Sequence, residues 1–120
     1  MICKEGVQIT DKGKTFSKPI QDSWATVDRV CFEFGIMAVM TSGFDGLHMP
    51  KSKHYSGNAY DLRLRHLDRN RWKELRDVIA DALGPKFDVV LEDMKVHIHI
   101  EFDPKPMQGP SGTVAKEEGV

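Results

Sequence analysis

The sequence predicts an α+β fold: an antiparallel sheet of about four strands, two main helices packed on one face, and an open cleft on the other. Three observations carry that reading. Two stretches place apolar residues at helical spacing, several shorter runs alternate with period two, and Gly or Pro separates one kind from the other.

The opening segment to about Lys18 is polar, is broken by Gly6 and Gly13, and reads as a loop or short edge strand. Ile20, Trp24, Val27, Cys31 and Phe34 then recur every three or four residues. They predict an amphipathic helix near residues 19–34, entered through Ser17 or Lys18 and stopped by Gly35. Ile36 to Thr41 is a short apolar run before Ser42-Gly43 and predicts a buried strand. Phe44-Asp45-Gly46 reads as a turn, and the loop runs on through Pro50. Ala59 to Leu64 alternates, with Asp61, Arg63 and Arg65 on one side and Leu62 and Leu64 on the other, the pattern of a strand with one wet face. Asp68 reads as the N-cap of a second helix near residues 68–83, with Trp72, Leu75, Val78, Ile79 and Leu83 as its stripe and Gly84-Pro85 as its stop. Trp24 and Trp72 lie on apolar stripes and are expected in the core. Phe87 to Leu91 and Val96 to Phe102 alternate about the polar Glu92 to Lys95 and predict a β-hairpin. Beyond Asp103 the composition turns to Pro, Gly, Ser, Lys and Glu, which predicts a disordered tail over residues 104–120.

A chain of 120 residues, 40% hydrophobic and 29% charged, supports one core, so a single domain over residues 1–103 is expected. The net charge of -1 and the scattered Lys and Arg argue against a nucleic-acid partner. No run approaches the length of a membrane span, and no apolar stretch follows M-I-C-K-E-G; a membrane partner is not expected, and synthesis in a cytoplasm without a signal peptide is. Cys3 and Cys31 are too few for a disulfide framework and read as free thiols, Cys31 buried. The absence of a G-x-S-x-G elbow and of a basic groove disfavours a serine esterase or a nuclease. A monomer is expected, although the sequence leaves oligomeric state open.

The chemistry-bearing residues gather in two segments. S-K-H-Y-S-G-N-A-Y-D runs from Ser52 to Asp61, and H-I-H occupies 97 to 99. Two imidazoles and a carboxylate, His54, Asp61 and His99, are three zinc-ligand types, and three protein ligands with a fourth position left to water define a catalytic site. In the last strand, alternation puts His97, His99 and Glu101 on the face opposite Val96, Ile98, Ile100 and Phe102. A lone H-x-H points only weakly to metal, but a strand carrying Asp61 beside the hairpin would let His54, Asp61 and His99 converge on one ion. Gly57 and Ala59 are small enough for backbone to pass close to a metal or a substrate.

The pattern S-x-H-x-x-G-x-A-x-D, carried by Ser52, His54, Gly57, Ala59 and Asp61 and followed by H-x-H, resembles the zinc peptidases of the D-alanyl-D-alanine carboxypeptidase family. Those are similar in fold and zinc site to the hedgehog signalling domain and to bacteriophage L-alanyl-D-glutamate endolysins. The resemblance covers roughly Thr41 to Asp103, and T-S-G-F-D-G-L-H-M-P-K-S-K-H and V-H-I-H-I-E-F-D-P-K look most like the small phage-encoded members. It implies Zn2+ held by His54, Asp61 and His99. It also implies hydrolysis of a peptide bond in bacterial peptidoglycan stem peptides, of the D,D-carboxypeptidase or L,D-endopeptidase type, on the cell wall after release or as part of a phage particle. The hedgehog likeness admits an alternative: a non-enzymatic zinc-stabilised binding module, or a virion component that keeps the pocket without using it.

Hydrolysis needs a base beside the metal. Many members of that family place a Glu three residues before the last zinc His, where this sequence has Val96. The base is therefore expected from Glu92, which alternation puts on the side of His97 and His99, with Asp93 the second choice. His97 is either the base itself or a group that polarises the scissile carbonyl or its oxyanion; a ligand role is disfavoured, since same-face neighbours on a strand stand ~6–7 Å apart. Arg63 is the expected substrate contact, because a guanidinium clamps a carboxylate through two hydrogen bonds, although a surface salt bridge explains Arg63 or Arg65 equally well. Ser52 is expected as a hydrogen-bond donor beside the site or the substrate. His48 and His66 are loop histidines that could line it.

Overall fold

The structure is a computed structural model and describes residues 1–11, 13–44, 53–54 and 56–104. The expected turn at Phe44-Asp45-Gly46 beyond Phe44, along with Ser52, His48 and the tail past residue 104, lies outside the described residues. The described strands are β1 (Ile2–Cys3), β2 (Thr10–Asp11), β3 (Lys14–Thr15), β4 (Val39–Ser42), β5 (Ala59–Arg63), β6 (Phe87–Glu92) and β7 (His97–Phe102). The helices are α1 (Lys18–Glu33) and α2 (Trp72–Leu83). The fold is α+β, with a five-stranded mixed sheet in the order β1-β4-β5-β7-β6 and a separate two-stranded hairpin of β2 and β3.

The fifth strand lies at the sheet edge, in the opening segment read as a loop or short edge strand, and its parallel pairing is the difference from the antiparallel sheet the sequence predicts. β1 pairs in parallel with β4, Ile2 opposite Val39 and Cys3 opposite Met40, whereas the other sheet pairs are antiparallel. Two residues are too few to show a period, so only the long-range pairing reveals the strand.

α1 begins where Pro19 pre-sets the first turn and ends at Glu33, with Phe34 as its C-cap, after which Gly35 turns the chain at φ 80. α2 starts later than its stripe suggests. Asp68 caps a 3-10 turn, Arg69–Arg71, and makes no side-chain cap bond; the α-helix proper begins at Trp72, whose indole Nε1 donates to the Leu67 carbonyl at 2.8 Å. Both helices cover one sheet face. Ile20, Val27 and Val30 of α1 and Leu75 and Ile79 of α2 pack with Met40, Tyr60, Leu62, Ile98 and Ile100 in one core, Trp72 is buried within it, and Trp24 is half-buried against it. Cys31 is a buried free thiol, and burial pushes its pKa up to about 12; Cys3 is exposed. No described helix is long and apolar enough to cross a membrane.

The central strands carry opposite chemistry on their two faces. In the register of β5 and β7, Leu62 stands opposite Ile98 on the core side, while Asp61 stands opposite His99 and Arg63 opposite His97 on the other. β6 places Glu92 opposite His97. The face expected to be wet is covered at its centre: Asp61 is only 4% exposed.

Candidate metal centre

β5 and β7 bring Asp61 and His99 side by side, and the turn before β5 delivers His54 to the same point. That turn closes through the Gly57 amide on the His54 carbonyl (3.2 Å) and the Asn58 amide on the Lys53 carbonyl (2.9 Å). Gly57 sits at φ 76, and a Cβ there would lie 2.7 Å from the Thr15 carbonyl oxygen and 3.0 Å from the Phe44 ring. Its smallness therefore serves a close approach to β3 and Phe44. The sequence reading assigned that smallness to a metal or substrate, and the packing corrects it. The Gly57 carbonyl also accepts from the Ser17 amide at 3.0 Å, tying the turn to the start of α1.

Three ligand atoms converge. His54 Nε2 lies 3.2 Å from His99 Nδ1 and 3.4 Å from Asp61 Oδ1, and His99 Nδ1 lies 3.1 Å from that same oxygen. Zinc holds N and O ligands at ~2.0–2.1 Å in a tetrahedron, whose edge is then about 3.4 Å. The donor triangle is within a few tenths of an ångström of one face of that tetrahedron, so the residues fit the ion in size as well as type.

Each imidazole is oriented from behind. His54 Nδ1 donates to the Gly43 carbonyl at 2.8 Å, which turns Nε2 toward the cluster, and His99 Nε2 donates to Glu101 Oε1 at 3.0 Å, which leaves Nδ1 facing it. Outer acceptors of this kind fix the tautomer of a metal-ligating histidine and raise its basicity. Sequence reasoning assigned neither role. The i, i+2 spacing of His99 and Glu101 on one face could have revealed the second, whereas a backbone carbonyl such as that of Gly43 leaves no mark in a sequence.

The electrostatics follow from placing these groups together without bulk water. Burial raises the pKa of Asp61, but hydrogen bonds from His54 and His99 outweigh it and hold the carboxyl well below the usual range. Burial lowers the pKa of His99, but the bonds to Asp61 and Glu101 raise it to about 9. A proton on His99 then joins two donor atoms that would otherwise confront each other as lone pairs, in the position a cation fits.

Beside this triangle lies a second pair. His97 Nε2 is 2.5 Å from Glu92 Oε1 and 3.7 Å from Asp61 Oδ2. Asp61, Glu92 and His97 thus form a further candidate metal-binding group that shares Asp61 with His54 and His99. Val96, just before His97, occupies the left-handed region at φ 58 and ψ 42, unusual for a β-branched residue, and it starts β7 one position later than alternation suggests. Asp93 is drawn elsewhere: it is exposed and ion-paired with Arg69. Arg63 lines a cleft adjoining Asp61 and His97, while His66 is exposed and lies outside that lining.

No family model matches the sequence. The chain is 36% identical over 67 residues to the Indian hedgehog B protein of Danio rerio and, at the same identity and length, to the Indian hedgehog proteins of Xenopus laevis and Gallus gallus. The matched segment is 54% of this chain and 16% of each relative. The chain is therefore similar to a fragment of hedgehog proteins and carries a candidate metal-binding group, His54, Asp61 and His99.

Proposed function

We propose that this chain is a zinc-dependent peptidase, with Zn2+ held by His54, Asp61 and His99, that hydrolyses a peptide bond in bacterial peptidoglycan stem peptides. The observation that carries the reading is the adjacency of two features: a donor triangle of tetrahedral dimensions, and the Glu92–His97 pair beside it, linked through Asp61. A structural zinc site needs the first and has no use for the second.

Zinc at this position supplies Lewis acidity, which polarises a carbonyl and makes water a nucleophile near neutral pH. The protein supplies the rest. Glu92 takes the proton of the attacking water and returns it to the leaving amine, with His97 donating to its carboxylate and setting its orientation. His97 Nε2, swung from Glu92 to the substrate oxygen, would serve as an oxyanion donor. Arg63 stands on the same face, one pleat beyond Asp61, as a contact for a substrate carboxylate. Asp93, held by Arg69, is the weaker candidate base. Action on the cell wall after release, or from within a phage particle, belongs to the same proposal.

Incubating zinc-loaded protein with Gram-negative peptidoglycan, beside chelator-stripped protein, and analysing soluble products by mass spectrometry tests it. Zinc-dependent stem-peptide fragments are expected, and their new termini identify the bond. Identical profiles with zinc bound would overturn the hydrolase. They would favour the second reading, a non-enzymatic zinc-stabilised binding module or virion component, which draws on the similarity to a segment of hedgehog proteins.

A further inference from the structure

We propose that Asp61, Glu92 and His97 form a second site for a divalent transition-metal ion, weaker than the first, and that filling it switches the hydrolase off by ligating the carboxylate of Glu92. The switching rests on the hydrolase reading; the site itself rests on donor geometry. Asp61 Oδ2 lies 3.7 Å from His97 Nε2, and Glu92 Oε1 lies 2.5 Å from that same nitrogen. One ligand atom from each of the three residues stands within 4.8 Å of the other two. One imidazole with two carboxylates is a donor set that zinc and its first-row neighbours accept. The Glu92 and His97 side chains are 33% and 16% exposed, which leaves an ion a path from solvent.

Strand geometry explains why two ions rather than one. Same-face neighbours on a strand stand ~6–7 Å apart, too far for His97 and His99 to share an ion. Asp61 spans that gap from the adjacent strand. Its Oδ1 faces His54 and His99 and its Oδ2 faces His97, so one carboxylate bridges two ions at the ~3.5–4 Å separation of two-metal sites. β6 completes the second set, because its register places Glu92 opposite His97. Metal binding at His97 Nε2 needs the ring hydrogen on Nδ1, and among the described residues no acceptor ties that nitrogen down.

The order of filling follows from what stands behind each ligand. In the first site the outer nitrogens of His54 and His99 are held by the Gly43 carbonyl and Glu101. The second site has no such acceptor for His97, and outer partners of that kind are worth ~10–100-fold in affinity. Arg63, opposite His97 in the sheet register, adds a like charge that opposes a second cation. The first equivalent therefore fills the buried triangle, and the second site fills only as the ion becomes more abundant. A carboxylate engaged by a metal cannot take a proton from water, so Glu92 serves either as base or as ligand. Protein with one ion is the working form, and protein with two is silent.

The test counts ions before it measures turnover. Equilibrium dialysis of the full, chelator-stripped chain against Zn2+, with metal analysis, should show two equivalents, the second about tenfold or more weaker than the first. The zinc-edge spectrum at two equivalents should gain a zinc–zinc distance of ~3.5–4 Å that is missing at one. Glu92→Gln and His97→Gln should each keep the first equivalent and lose the second. Asp88→Asn, in the separate group of Asp88, Glu101 and Asp103, should keep both. Release of wall fragments should fall about tenfold or more as the second equivalent binds. A single equivalent at saturating Zn2+, a second equivalent that survives both Gln variants or departs with Asp88→Asn, or turnover that rises with the second ion would overturn the proposal. Two-ion binding lost in the Gln variants of a protein that releases no wall fragments at either loading would leave the site standing and sink the hydrolase; turnover at one equivalent with no second ion bound would do the reverse.

Discussion

At its centre the sheet keeps water from residues on its two faces by opposite means. On the helix side Leu62 and Ile98 are fully buried among apolar neighbours, and on the other side Asp61 is 4% and His54 2% exposed among groups that all carry charge or lone pairs. Apolar burial needs only close packing and is indifferent to pH and ions. Polar burial is stable only while every lone pair is answered, so the second face depends on a proton or a cation at its centre.

That contrast can be broken first at the ligands. His54→Ala, Asp61→Ala or His99→Ala is expected to abolish stoichiometric zinc, measured by metal analysis after gel filtration, whereas Ile98→Ala should retain it. Next in size, Glu92→Gln should keep zinc and the folded state yet lose about 10²–10⁴-fold in peptidoglycan turnover, the scale of a general base. Retained turnover in that variant would move the base to His97 or Asp93. On the apolar face, Ile98→Ala should cost about 2–5 kcal/mol in denaturant unfolding, by the same amount with and without zinc, because the cavity it leaves does not touch the ion. Smaller again, Glu101→Gln should weaken zinc binding about 10–100-fold in a competition titration, through the lost orientation of His99.

The last prediction concerns pH and sharpens the contrast by sign. In the metal-free protein the pKa of His99 is raised from 6.5 to about 9, so its stabilisation is full below pH 6.5 and disappears as pH rises toward 9. Asp61 is lowered from 3.8, so its share is present above that value and is lost as pH falls further. Stripped protein should therefore show its highest Tm between about pH 4 and 6.5 and a decline toward pH 9. Zinc-loaded protein should lack the alkaline decline, since the ion takes the place of the proton. An identical alkaline decline in both forms would place the titrating group outside the cluster.

What the sequence made legible follows the same division. Both helices, the alternation of β5, β6 and β7, and the grouping of His54, Asp61 and His99 rest on local periodicity and motif spacing, which a single chain displays. The parallel pairing of β1, the contact that requires Gly57 to lack a Cβ, the Gly43 carbonyl behind His54 and the Arg69–Asp93 pair are long-range contacts without a period. Asp68 misled because cap chemistry is shared by 3-10 and α-helical turns. The covered state of the Asp61 face was hidden for a related reason. Alternation separates two faces of a strand but cannot say what covers the polar one.

The most direct measurement is zinc-edge X-ray absorption on protein loaded with one equivalent of zinc, paired with the same spectrum from His99→Ala. A four-coordinate N/O shell at ~2.0–2.1 Å containing two imidazoles in the parent, and loss of that shell in the variant, is the expected result. A shell with a single imidazole, one unchanged in His99→Ala, or no retained zinc would contradict the assignment of the ion to His54, Asp61 and His99.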